Sequence, residues 1–171
     1  MLKCTSLWQP WASLIHPEWK TIETRSWPTS HRGWLAVHAA KKWNRGHASL
    51  CRSEPFHSAL KALGFRPPVT LGDCLGPRQT IATFGLPFGA VVAVVRIIDC
   101  IRVPPVSLHD TWVDGLSSRE RAFGDYNPGR FGWLLGDIQR LEKPVITTGH
   151  QGIWILDDEA ERKVWGQVRA A

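Results

Sequence analysis

The chain is short of several things that would assign it quickly. Its 171 residues hold four cysteines, one methionine and one tyrosine. Cys4, Cys51, Cys74 and Cys100 form no CxxC pair, so a zinc ribbon is excluded and free thiols in a reducing compartment are expected. His47 and Cys51 share helical spacing, but two ligands do not make a metal site. No metal and no cofactor are expected. There is no P-loop, GxGxxG, HExxH or GxSxG motif. The longest apolar run, "GAVVAVVRII", is broken by Arg96 and is well short of the ~20 residues of a membrane span. The opening "MLKCTSLWQP" has no apolar signal-peptide core. These absences predict a cytoplasmic protein without a membrane partner.

What is abundant is tryptophan and positive charge. There are ten tryptophans and the formal net charge is +6, with a pI of about 9.5. A basic balance favours an anionic partner, nucleic acid above all. Most indoles must sit in or beside the core. Basic residues interleaved with aromatics also suit base stacking combined with phosphate contact.

Along the chain, "QPWASLIH" (9–16) reads as a short helix stopped by Pro17, with Trp11, Leu14 and Ile15 on one face. "KTIETRSW" (20–27) and "GWLAVHAA" (33–40) read as strands. Residues 41–64 read as helix divided at Pro55. Residues 66–89, rich in proline and glycine, read as an irregular insertion. "AVVAVVRIIDCIRV" (90–103) is the clearest strand. Residues 117–123 form a short helix capped by serine. Residues 129–145 read as strand then turn, with helix over 133–141 as the alternative. Residues 146–156 read as a strand pair or bulged strand around "GHQG", and 157–168 as a terminal helix with acids in its first turn. The sum is one α+β, β-rich domain spanning 1–171.

The chemistry concentrates in "EWKTIETRSW". Strand alternation puts Glu23, Arg25 and Trp27 on an open face, with Ile22 directed to the core. Lys20 stands at the strand's entrance, placed to reach over the mouth of a cleft. A lysine desolvated under tryptophans suits a nucleophile or base; one held by Glu23 stays charged and clamps phosphate, leaving the glutamate as the general base. Arg25 suits bidentate phosphate binding. The plain alternative is a solvated strand whose ion pair contributes about 1 kcal/mol at most. A second cluster, "GDYNPGRFGW", places Tyr126, Asn127 and Arg130 at a turn, with Arg130 aimed at the same cleft. In a third, Trp8 suits stacking and Gln9 can read a base edge. His38 reads as a histidine at the edge of the core, and His150 as a loop histidine with no evident partner.

"SLWQPWASLIHPEWKTIETRSW" followed by "HRGWLAVHAA" resembles the ASCH domain family of the PUA-like superfamily, in its longer bacterial or phage form. The lysine, glutamate and arginine of that family's G-x-K-x-x-E-x-R motif fall on Lys20, Glu23 and Arg25, and its glycine falls on Glu18. "GAVVAVVRIIDC", "FGDYNPGRFGWLLGDIQRLEKPV" and "GHQGIWIL" extend the resemblance in order and spacing. It implies a PUA-like small β-barrel surrounded by short helices, with a cleft beside the motif strand. It also implies RNA binding or processing, with Trp8, Gln9, Lys20, Arg25, Tyr126, Asn127 and Arg130 as binding residues. The expected partner is RNA, another single-stranded nucleic acid, or a modified nucleoside. The alternative is a small hydrolase, a ribonuclease or nucleoside amidohydrolase, using Lys20 and Glu23. Relatives that remove an acyl group from a modified nucleoside carry threonine where this chain has Glu23.

Overall fold

A computed structural model describes residues 1–66, 84–105 and 111–168. Six strands form one curled sheet: β1 (Lys3–Leu7), β2 (Ile22–Arg25), β3 (Gly33–Ala39), β4 (Ala90–Arg102), β5 (Phe131–Ile146) and β6 (Ile153–Ile155). Their order is β2-β5-β4-β3-β1-β6, and only β1 and β3 run parallel. Among the described residues, five short helices surround the sheet: α1 (Trp11–Leu14), α2 (Arg45–Leu50), α3 (Phe56–Ala62), α4 (Ser118–Ala122) and α5 (Asp158–Trp165). None among the described residues is long and apolar enough to cross a membrane. The expected β-rich α+β architecture is present, as a half-barrel.

The β-branched run of β4 is buried from Ala90 to Val95 because helices and strands cover both its faces. The concave side gathers Leu35, Val37, Val95, Ile97, Trp133 and Leu135; the other packs Ala36, Val91, Val94 and Leu141 against Ala160 and Val164 of α5. A third cluster joins α1 and α3 through Leu14, Phe56, Leu60 and Phe123. Asp157 caps α5 by accepting from the Ala160 N–H at 2.8 Å.

Several local expectations are corrected. The segment 133–141 is neither helix nor turn but the middle of one 16-residue strand. The β4–β5 register shifts beside Gly136, and Asp137 takes a left-handed φ of 46° there, so the strand bulges and continues where a turn was expected. Around "GHQG" no strand pair forms. Residues 147–152 stay irregular, and only Ile153–Ile155 pairs, antiparallel to β1. The helix read at 9–16 shortens to Trp11–Leu14, and the strand read from Lys20 begins at Ile22. Ile22 is buried, as expected, beside Gly132 and near Trp112. Most of the insertion read at 66–89 lies outside the described residues. Its flanks meet where the Arg66 N–H donates to the Phe84 carbonyl at 3.3 Å.

Candidate nucleic-acid interface

The curl of the sheet brings its ends together. β2 and β1 are four places apart in strand order, yet Arg25 on β2 donates through Nη2 to the Ser6 carbonyl at 2.9 Å and to Thr5 Oγ1 at 3.2 Å. This guanidinium bridges the open side of the half-barrel. It also lies within 6.0 Å of the Trp27 and 5.7 Å of the Trp133 ring centre, and those two rings pack edge to face. Glu23, Arg25 and Trp27 share the inward face, as alternation requires.

Glu23 sits between two cations. Its Oε2 is 3.4 Å from Lys20 Nζ and its Oε1 is 3.2 Å from Arg25 Nε. Lys20 is wholly buried and also donates to the Ile22 carbonyl. It follows a tight turn in which the Lys20 N–H donates to the His16 carbonyl, and this turns its side chain under the strand instead of over the cleft. The lysine therefore holds Glu23 from beneath and is absent from the linings of both cavities at the mouth.

Two cavities adjoin there. The first, of about 580 Å³, is walled by Trp8, Trp11, Trp27 and Phe56, with Glu23, Arg25 and Arg130 as its charged groups together with Asp125. The second, of about 590 Å³, lies between the 147–152 loop and the ends of β1 and β3; His38, Lys41 and His150 line it. Ser6, Trp8, Arg25 and Trp27 belong to both and form a common rim. Trp8 is 47% exposed, and Lys42 Nζ stands 4.3 Å from its ring centre.

The structure divides the remaining sequence candidates. Arg130 reaches the first cavity, paired with Asp125 at 3.1 Å and donating to the Thr24 carbonyl at 3.3 Å. Gln9 does not present its amide to the cleft. It is wholly buried, accepts from the Ser13 N–H, and donates to Ser13 Oγ and the Pro87 carbonyl, both at 2.8 Å. Tyr126 and Asn127 also stand apart from both linings. Tyr126 packs on Trp112 and donates to Glu120 Oε1 at 3.3 Å, where burial and the neighbouring carboxylate push its phenol pKa up. Asn127 closes a turn onto Asp125.

Sequence reasoning passed over Glu120. Its carboxylate accepts from the Thr21 N–H at 2.7 Å, the Thr21 hydroxyl at 3.0 Å and the Ile22 N–H at 3.2 Å. That fixes the entry of β2 and hence the heights of Glu23 and Arg25. The signal was the S-x-x-E spacing of Ser117 and Glu120. Ser117 does accept the Glu120 N–H, but the glutamate side chain reaches the neighbouring strand instead of closing the box.

Solved structures that share the architecture include some that are distant in sequence. The ASCH protein from Zymomonas mobilis aligns at 14% identity over 98% of this chain and 95% of its own, with a TM-score of 0.52. A tyrosine-to-phenylalanine variant of it gives 15%, 98% of each chain and 0.51; a serine-to-alanine variant gives 15%, 96% and 94%, and 0.50. No curated protein matches the chain. The ASCH domain pattern matches residues 6–133, which contain the Lys20–Glu23–Arg25 motif, the bridge from Arg25 to Ser6 and the Trp27–Trp133 pair, and the chain belongs to the ASCH domain family.

Proposed function

We propose that the chain binds single-stranded RNA at the mouth of the half-barrel, taking one unstacked base into the first cavity. The observation that carries this reading is the common rim, where two accessible indoles, Trp8 and Trp27, flank the bridging guanidinium of Arg25. A base between indole faces gains stacking whatever its identity. Glu23, fixed between Lys20 and Arg25, offers carboxylate oxygens to the exocyclic amine of such a base. Arg130 and Lys42 stand at the edges, where a backbone would leave the cavity. The net charge of +6 supplies the attraction, and the family resemblance points the same way.

Hydrolysis through Lys20 and Glu23 is less well supported, because the lysine is sealed from both cavities. The test is a tryptophan-fluorescence titration with short oligoribonucleotides at several salt concentrations. Three phosphate contacts give a log–log slope of about −2 for a single strand. Trp8→Ala lowers affinity about tenfold through lost stacking. A flat salt response, or equal affinity for duplex and single strand, rejects the proposal.

A further inference from the structure

In the second cavity lies a pair that the RNA-binding reading does not use. Ser6 is the penultimate residue of β1 and His38 that of β3, and the parallel register puts them side by side. Ser6 Oγ is 3.1 Å from His38 Nδ1, and His38 Nε2 is 3.3 Å from the Thr147 carbonyl oxygen. A carbonyl only accepts, so Nε2 carries the ring proton and Nδ1 is left as a lone pair facing the serine hydroxyl. This is the arrangement of a nucleophile, its base and the group that orients the base.

From this geometry we infer that Ser6 and His38 form an acyl-transfer pair acting on small acyl donors with an anionic leaving group. His38 is buried, and desolvation holds its pKa below the usual histidine value, so the base form prevails at neutral pH. Ser6 is half-buried and lines both cavities, so its hydroxyl has a route to substrate. Gly149 packs directly against the pair, an approach that only a residue without a side chain allows. A Cβ there would lie 2.2 Å from His38 Cε1 and 2.9 Å from Ser6 Oγ. Lys41 lines the same cavity and supplies positive charge for the leaving group. Arg25 also borders it, and its Nη2 donates to the Ser6 carbonyl, so a guanidinium stands beside the serine for the oxyanion.

In the step itself, Ser6 Oγ attacks the acyl carbon and its proton passes to His38 Nδ1. The bond from the acyl carbon to the leaving oxygen then breaks, that oxygen departs with the electron pair, and His38 gives up the serine's proton to it or to solvent, which restores the Nδ1 lone pair. Water adds to the acyl-serine, giving its proton to His38. The serine is released protonated, and the acid leaves.

The test does not depend on RNA binding. The full chain is incubated with p-nitrophenyl acetate and with acetyl phosphate, then digested and mapped by mass spectrometry. One acetyl group is expected on Ser6 with both reagents, and acetyl phosphate is the reagent that should favour this cavity. Ser6→Ala loses that label and releases nitrophenolate at the background rate. His38→Ala slows Ser6 acetylation about a hundredfold, and added imidazole restores part of it. Wild-type protein with no acetyl on Ser6 from either reagent overturns the inference without recourse to any variant. So does Ser6→Ala turning over at the wild-type rate with an unchanged thermal melt.

Discussion

Replacing Lys20 by methionine separates a buried clamp from a group that meets ligand. Methionine matches the length of the lysine stem, so packing is nearly kept and only the ammonium is lost. Two interactions go with it: the ion pair to Glu23 at 3.4 Å and the hydrogen bond to the Ile22 carbonyl. Lys20 has no exposure and the Glu23 side chain only 11%, so water cannot simply replace the amine. Breaking a buried pair by removing one partner costs roughly 3–5 kcal/mol. Glu23 keeps Arg25 at 3.2 Å, which puts the loss at the low end, about 3 kcal/mol with the orphaned carbonyl included. At this chain length, that lowers Tm by roughly 6–12 °C. Urea denaturation of wild type, Lys20→Met, Glu23→Gln and the double variant gives the cycle. The double variant should cost less than the sum of the singles, because Glu23→Gln removes the charge that Lys20→Met strands. A loss under about 1 kcal/mol, or weakened RNA binding at unchanged stability, would show that the amine works at the cleft and that its buried clamp role is misread.

Other consequences are equally direct. Glu120→Ala removes the acceptor of both amides at the entry of β2 and should cost about 2–3 kcal/mol; amide exchange at Thr21 and Ile22 should quicken before that of β4. Gly149→Ala forces a methyl against the buried His38 ring, so stability should fall by about 1–3 kcal/mol and Ser6 acetylation should drop with it. Stability should also decline on mild acidification. Burial lowers the pKa of His16, His38 and His47, so their contribution is complete above the unfolded value of about 6.5 and is lost as pH falls toward the folded values. Denaturation midpoints at pH 7.5 and pH 5.5 test this above the range in which Asp157, Glu159 and Glu161 titrate, and equal midpoints would contradict it.

What the sequence disclosed follows from the range of each interaction. The run of β4 and the acid-rich first turn of α5 were legible because β-branched burial and the helix dipole act locally. The grouping of Glu23, Arg25 and Trp27 was legible because alternation along a strand is a backbone property. The depth of Lys20 was not. Whether a lysine after a tight turn lies over or under a strand depends on what covers it, here Glu23 and the barrel interior. The same limit hid Gln9, whose partner Pro87 is 78 residues away, and Glu120, whose partners are about a hundred residues upstream. Ser6 and His38 are the sharpest instance. Neither residue stands in a recognisable motif with the other. They become a pair only because β1 and β3 run parallel in a register that sets one beside the other. In a curled sheet, side chains at the ends of neighbouring strands converge at the mouth whatever their separation in sequence. The chemistry that matters at such a mouth is therefore decided by strand order and register, and the motif strand contributes only part of it.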